Sequence, residues 1–285
     1  MLNLIKMDMY RMVRTVSFWV LCIVAAAMAI FSVYMTEVEM SAIRGTSYAE
    51  QSESFQDTQP EDALTIGVYV DTDPAWAEEK IPYLDLVSKN LSGMLVLLLC
   101  AIFPPLFVNA EQKHGYIKNI AGQLPHRGML ILSKLAVIAI QVLALFVVFM
   151  LAIAAMGLII WGNRLVFDDF GKLMGVVAVQ YLLHFAFSAV VSAITVATRV
   201  TGICMTFGIL VATGFMQMLY YAVNYQFESN NINFNIMNYM LDCCVGQIMP
   251  TAESSDVIRI IIVGAAYLVI SAVASVIIMQ KRDVR

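Results

Sequence analysis

His184 and Ser188 have the types and the spacing of a general base and a nucleophile. They stand four residues apart in an apolar run, so a helix places both side chains on one face. A histidine within reach of a serine hydroxyl activates that hydroxyl for nucleophilic attack. A buried histidine satisfied by a neighbouring hydroxyl gives the same pattern and is far commoner, so both interpretations stand at this stage.

Other catalytic and metal-binding patterns are absent from the sequence. There is no GxxxxGK[ST] phosphate-binding loop, so the chain does not bind ATP by that route. Its three histidines form neither an HExxH motif nor a cluster with zinc spacing, and the adjacent Cys243 and Cys244 lack a second cysteine pair. We therefore expect no metal and no cofactor on this chain itself.

Composition places the chain in the membrane. Of its 285 residues, 60% are hydrophobic and only 13% are charged, whereas about a quarter of an average soluble domain is charged. The predicted fold class is an all-α membrane protein with six transmembrane helices. The six apolar segments lie at residues 15–35, 91–110, 135–160, 173–197, 202–224 and 257–280. Pro104 and Pro105 are expected to break the second span.

Three polar segments complete the layout. Residues 1–14 alternate apolar and basic positions at helical spacing, which predicts an interfacial helix in the headgroup plane. Residues 36–90 form an acidic insertion, and residues 225–256 are too polar to span, so we expect a re-entrant or capping segment there. A solvated acidic face and a ligand-binding role both remain open for the insertion.

Charge sets the predicted orientation. With both termini placed in the cytoplasm, the inner segments hold eleven basic residues and three acids, and the outer segments hold six basic residues and eighteen acids. Every inner segment is net basic and no outer one is, as the positive-inside rule requires. The net charge of -4 conceals this asymmetry.

The inner loop with the clearest basic excess is residues 111–134, EQKHGYIKNIAGQLPHRGMLILSK. Tyr116, Ile117 and Ile120 fall at helical spacing, while Gly122 and Pro125 end the turn. The pattern predicts a short amphipathic helix at a cytoplasmic turn, which is a docking surface by shape. A plain basic loop is the alternative interpretation.

The residue order in this loop resembles the first cytoplasmic loop of bacterial ABC-2 type transporter permeases. The pattern is carried by Glu111, Gly115, Ile117, Lys118, Asn119, Pro125, Arg127, Ser133 and Lys134. In that family the loop carries a coupling helix that docks on an ATP-binding subunit. The resemblance implies coupling roles for Glu111, Gly115, Tyr116, Ile117, Lys118, Ile120, Arg127 and Lys134.

The resemblance also implies the function, location and partners. It implies the permease subunit of an ABC exporter in a bacterial plasma membrane, paired with a second identical or related permease chain. Two ATP-binding subunits would carry the ATP and magnesium, and no nucleic acid is involved. A membrane-embedded enzyme and a ligand-binding scaffold are the alternatives. The acidic insertion is longer than in many members of that family.

The spans themselves bear on the cargo. Their central thirds lack charged residues, which argues against a proton- or sodium-coupled carrier. Gln141, Gln180, His184 and Gln217 either line a pathway or bond between helices. The nineteen methionines suit a poorly specified apolar surface or simple core filling. We expect a hydrophobic or amphipathic cargo, such as a peptide or a drug-like molecule.

Overall fold

The computed structural model describes residues 2–45, 72–113, 128–230 and 234–281. Within these ranges the chain is almost entirely helical, so the expected all-α membrane class is confirmed. Four helices are long and apolar enough to cross a membrane, and there are up to six spans if each of two bent helix pairs is one span.

Ten helices occur in the described ranges. They are α1 Leu2–Arg14, α2 Val16–Gly45, α3 Tyr83–Ser92, α4 Leu95–Lys113, α5 Gly128–Trp161, α6 Phe170–Thr198, α7 Thr201–Ala212, α8 Gln217–Ser229, α9 Leu241–Gln247 and α10 Ser254–Lys281. Two short parallel strands, β1 Ile81–Pro82 and β2 Leu165–Val166, pair with each other. Single 3-10 turns at Pro74–Ala77, Gly162–Arg164 and Ile236–Tyr239 join these elements.

The first long helix continues well past its apolar segment. The sequence predicts a span ending at residue 35, yet α2 runs to Gly45. Its buried stripe continues through Thr36, Met40 and Ile43 at helical spacing. The first charged residues after residue 35 therefore mark the end of the apolar segment. The helix itself continues because one of its faces is still buried.

The second predicted span is bent, but its prolines are not the break. α3 and α4 meet at 51° across Gly93 and Met94, and Met94 adopts a left-handed backbone with φ 64°. Pro104 and Pro105 lie inside the continuous helix α4. The expected break at the prolines is thus wrong, because the chain turns earlier, and α3 starts within the segment expected to be an external insertion.

The fifth predicted span is also a bent pair, formed by α7 and α8 at 61°. Thr213 closes α7, with its N–H and its hydroxyl both donating to the Ile209 carbonyl at 2.9 Å. Gly214 follows with φ 73°, a left-handed conformation that suits glycine and ends helices. α8 then extends to Ser229, past the predicted end at residue 224.

α6 is the central helix of the bundle. It packs most extensively against α10 and α4, and it also contacts α3, α5, α7 and α9. Close approach depends on glycine at two places around it. A Cβ on Gly208 of α7 would lie 2.9 Å from the Ala101 Cβ, and one on Gly264 of α10 would lie 3.1 Å from Leu183. Small residues at such crossings let membrane helices pack closely.

Candidate functional site

Five polar side chains follow one face of α6 through the middle of the bundle. Gln180, His184, Ser188, Ser192 and Thr195 are spaced at three or four residues, and all five are buried. At 1.5 Å per residue, this α6 polar column extends about 22 Å along the helix. It consists of neutral hydrogen-bonding groups in the most crowded part of the fold.

Gln180 binds the short helix α9. Its Nε2 donates to the Val245 carbonyl at 2.9 Å and to Ser92 Oγ at 3.3 Å. Ser92 and Ser88 of α3 both donate to the Ile248 carbonyl, at 3.1 and 3.3 Å. The last carbonyls of a helix lack partners within it, so a buried helix end needs donors from outside. Gln180 therefore bonds between helices, which is one of the two roles expected for it.

The two ring nitrogens of His184 have different surroundings. Its Nδ1 lies 2.7 Å from the Gln180 carbonyl, which only accepts, so Nδ1 carries the proton. Nε2 is then an acceptor, and it has no hydrogen-bond partner in the part of the chain that the structure describes. The Phe146 ring packs edge-on against the imidazole at 5.0 Å. The sequence contained no signal for this aromatic contact.

Ser188 is committed to the backbone of α4 and not to His184. Its hydroxyl donates to the Cys100 carbonyl at 3.3 Å. In a regular helix that carbonyl accepts the N–H of residue 104, but Pro104 has none. A neighbouring serine commonly satisfies the carbonyl that a proline frees in a membrane helix. The hydrogen bond to the Cys100 carbonyl therefore accounts for both Ser188 and Pro104, without Ser188 and His184 acting as a nucleophile and a base.

The hydroxyls at the Ser192 and Thr195 end of the column form hydrogen bonds within α6 itself. Ser192 Oγ donates to the Ser188 carbonyl and Thr195 Oγ1 to the Val191 carbonyl, each at 2.7 Å. Such bonds to the carbonyl four residues earlier let hydroxyls sit in apolar surroundings. The unsatisfied capacity of the column thus lies at its Gln180 and His184 end, where Gln180 Oε1 also has no partner among the described residues.

The two remaining pathway candidates are Gln141 and Gln217. Gln141 of α5 is fully buried, and neither its Oε1 nor its Nε2 has a partner within the described ranges. Gln217 begins α8, just after the bend, and is 6% exposed. The structure places Gln180 and His184 side by side on α6 and puts Gln141 and Gln217 on other helices.

A second polar cluster joins α1 to the helices that flank residues 114–127. Asp8 of α1 is 1% exposed and accepts a hydrogen bond of 2.6 Å from Ser133 Oγ of α5. Arg11 lies 3.5 Å from Asp8 and over the Phe107 ring of α4, at 5.3 Å. Lys134 of α5 lies over the same ring at 5.2 Å. We call these five residues the α1 latch.

One of the predicted coupling residues, Lys134, is part of the latch and is only 2% exposed. Lys134 therefore lies inside the bundle end and not on its surface. Glu111 is in the last turn of α4, but its side chain is outside what the structure describes. The other predicted coupling residues also lie outside the described ranges: Gly115, Tyr116, Ile117, Lys118, Ile120 and Arg127.

Sequence reasoning missed Asp8 and Phe107 as parts of this cluster. Asp8 is the only acid in a helix with three basic residues. An acid placed between basic neighbours at helical spacing suggests local ion pairing, as Arg11 shows. Its partner Ser133 lies 125 residues away and has no sequence signal.

At the opposite end of the bundle, two arginines hold the chain that leads into α3. Arg164 Nη2 donates to the carbonyls of Trp76, Ala77 and Glu79, at 2.7 to 3.0 Å. Arg44 Nε donates to the Ala77 carbonyl at 2.8 Å. The last turn of α2 and the 3-10 turn that follows α5 therefore both hold this short segment.

The short helix α9 carries an acid in apolar surroundings. Asp242 is 1% exposed, and burial raises its pKa to about 6, while the N–H groups of Asp242 and Cys243 oppose that rise. Its Oδ2 has no hydrogen-bond partner in the described part of the chain. The adjacent thiols Cys243 and Cys244 are free and buried. Burial raises the pKa of both thiols, so neither is a ready nucleophile.

The long apolar helices define a membrane protein of the all-α class. Among the described residues, no three His, Cys, Asp or Glu side chains are grouped to hold a metal ion. No family model, no curated protein and no solved structure matches the chain.

Proposed function

We propose that this chain is the membrane-spanning permease subunit of an ATP-driven ABC exporter. The observation that carries the proposal is the residue order of 111–134, which resembles the coupling loop of ABC-2 type permeases. The proposal includes six spans, with the bent pairs α3–α4 and α7–α8 as the second and fifth. It also places α9 between the fifth and sixth spans as a re-entrant cap.

The α1 latch supports a coupling role for this loop. Phe107 lies six residues before the end of α4, and Ser133 and Lys134 lie in the second turn of α5, so the latch grips both flanks of residues 114–127. A force on a loop reaches the bundle only if the loop's ends are firmly held. The cation contacts on Phe107 and the buried Asp8 to Ser133 bond supply that hold.

The proposal assigns the end of the bundle with α1 to the cytoplasm of a bacterial cell. The loop 111–134 and residues 1–14 are both net basic, which favours that side. ATP and magnesium would be bound by two copies of a partner ATPase, and a second permease chain, identical or related, would complete the exporter.

The proposed cargo is a hydrophobic or amphipathic molecule, such as a membrane-active peptide. The α6 polar column carries three hydroxyls, one amide and one imidazole but no acid or lysine. Such groups suit neutral polar contacts better than a coupled ion. Cells with this subunit and its ATPase should survive a membrane-active peptide better than cells with a hydrolysis-dead ATPase. Equal survival across a panel of peptides, together with export of a small ion, would overturn this cargo.

The coupling role is tested by placing a charge on the apolar stripe of the loop. Ile117→Asp puts an unpaired carboxylate in the proposed contact, so ATP hydrolysis should no longer respond to cargo. Asn119→Asp adds the same charge away from the stripe and serves as the matched control. The measurement is cargo-stimulated ATPase activity of the purified complex in lipid vesicles.

The outcomes of this test are distinct. Loss of stimulation in Ile117→Asp, with Asn119→Asp near the parent value, supports docking through the stripe. Unchanged stimulation in both variants removes the docking role from this loop. Failure of the chain to co-purify with any ATPase in mild detergent would overturn the exporter proposal as a whole and favour the enzyme or scaffold alternatives.

A further inference from the structure

α1 has three faces, and only one of them packs on the bundle. The packed face carries Leu4, Asp8 and Met12, and α1 lies mainly against α5. A second, exposed face is apolar and carries Leu2, Met9 and Val13. The third face is exposed and polar. It carries Asn3, Lys6, Tyr10 and Arg14.

The charged residues on the exposed polar face, Lys6 and Arg14, are both basic. The only acid of α1 is Asp8, which is buried in the latch, where Ser133 donates a hydrogen bond to it and Arg11 forms an ion pair with it. Lys6 forms no ion pair within the described ranges. The Arg14 guanidinium lies over the Tyr10 ring at 4.8 Å and leaves its outer edge open to an anion. A phosphate is a natural partner for such a group.

The position of α1 selects a membrane surface as the source of that phosphate. Only Thr15 separates α1 from α2, whose apolar window is a candidate span. Trp19 is 54% exposed and its indole N–H donates to the Val13 carbonyl at 2.7 Å, which fixes the junction. Tryptophan at a helix end is typical of the headgroup layer. An apolar stripe beside a basic stripe in that layer fits anionic phospholipid.

We propose that α1 binds anionic phospholipid headgroups through Lys6 and Arg14, and that the α1 latch transmits this binding to residues 114–127. The first part depends on α1 alone. The second part rests on the proposed coupling role of that loop for its biological meaning, but not for its detection. Anionic lipid would thus regulate the coupling loop by setting how α1 lies in the leaflet.

Lipid enrichment around α1 is the first measurement. The full chain carries a donor dye on Asn3→Cys, and labelling is selective because all five native cysteines are buried. It is reconstituted into vesicles of phosphatidylcholine with a trace of acyl-labelled phosphatidylglycerol or acyl-labelled phosphatidylcholine. We expect stronger energy transfer to labelled phosphatidylglycerol, and added salt should weaken it.

The variant Lys6→Gln/Arg14→Gln removes the proposed contact. At the usual strength of a basic residue near an anionic surface, losing two should lower the local preference for phosphatidylglycerol by about thirtyfold. The control Arg199→Gln/Lys281→Gln removes the same charge from two exposed residues outside α1, one between α6 and α7 and one at the end of α10. A preference equal in the two double variants, or absent from the parent, overturns the lipid contact.

Transmission is tested with a dye on Asn119→Cys, inside the loop. In the parent chain its emission should shift when phosphatidylglycerol is added to the vesicles. In Asp8→Asn/Ser133→Ala, lipid enrichment at α1 should persist while the loop signal no longer shifts. An unfolding temperature close to that of the parent chain shows that the variant is folded. The proposed transmission is overturned if the dye emission does not change with phosphatidylglycerol in the parent chain, or if it still changes in the latch variant.

Neither measurement uses ATP or an ATPase. A failure of the exporter proposal leaves both readouts intact, and a failure of the lipid proposal leaves the cargo-stimulated ATPase test intact. The two proposals are therefore separately decided.

Discussion

Ser188→Ala should destabilise the chain because of a proline on another helix. The Ser188 hydroxyl is the donor to the Cys100 carbonyl, which Pro104 deprives of its helical N–H. Without the hydroxyl, this carbonyl is a buried acceptor with no donor in a crossing of α4 and α6. Apart from that one hydrogen bond, the substitution changes little packing volume.

The magnitude follows from the cost of an unpaired acceptor. Leaving a buried carbonyl without a partner costs about 1–3 kcal/mol, and hydrogen bonds between membrane helices reach about 1.7 kcal/mol. We take about 1–2 kcal/mol for Ser188→Ala. For a chain of this size that lowers the unfolding temperature by roughly 2–3 °C.

A double-mutant cycle identifies the cause. In Pro104→Ala the backbone N–H returns and bonds to the Cys100 carbonyl, so Ser188→Ala in that background should cost much less. The expected coupling is about 1 kcal/mol. Ser192→Ala is the matched control, because its hydroxyl donates to a carbonyl that the helix also satisfies. Its cost should be small in both backgrounds.

The assay is thermal unfolding of the purified chain in mild detergent, followed by tryptophan fluorescence. Equal losses for Ser188→Ala with and without Pro104 would refute the reasoning, because the serine would then act through some other contact. A loss for Ser192→Ala as large as that for Ser188→Ala would also refute it.

Three further predictions concern the pathway candidates, the topology and the buried acid. Gln180→Leu should lower the unfolding temperature by removing the donor to Val245 and Ser92, whereas Gln141→Leu should leave it equal or higher, since no described partner is lost. Reduced export by Gln141→Leu at unchanged stability would assign Gln141 to the pathway. Exposed Ser254→Cys should react with an impermeant thiol reagent in intact cells and exposed Lys281→Cys should not; the reverse pattern ends the proposed orientation. Because burial raises the pKa of Asp242 from 3.8 to about 6, its charged form opposes folding. Stability from this group is therefore greatest below pH 4, falls between pH 4 and 6 and is flat above. Asp242→Asn should unfold at a higher temperature than the parent at pH 7 and lose this dependence, and a lower unfolding temperature would contradict the sign.

Ser133, although it is near the proposed cytoplasmic end, is not a suitable position for the cysteine-labelling test of topology. Ser133 is fully buried and bonded to Asp8, so a cysteine there would be unreactive from either side of the membrane. Lys281 is exposed at the end of α10 and gives a reactive position near the same end of the bundle.

The sequence by itself determined the class of protein and the outline of its helices. Hydrophobicity is a property of each residue by itself. A segment of about twenty apolar residues can therefore be recognised as a candidate membrane span without knowledge of which helices pack against it. The amphipathic pattern of residues 2–14 is local in the same way, and α1 forms over that range. The reach of α2 to Gly45 was missed because the apolar layer ends before the packed face does.

Only the tertiary structure decided which polar groups meet. Ser188 and Cys100 are 88 residues apart, and Asp8 and Ser133 are 125 apart. No local pattern encodes such pairs, because a serine, a glutamine or an aspartate has several partners to choose from until the helices pack. The bend at Met94 was hidden for the same reason. A left-handed methionine is costly alone and persists only where surrounding contacts hold it.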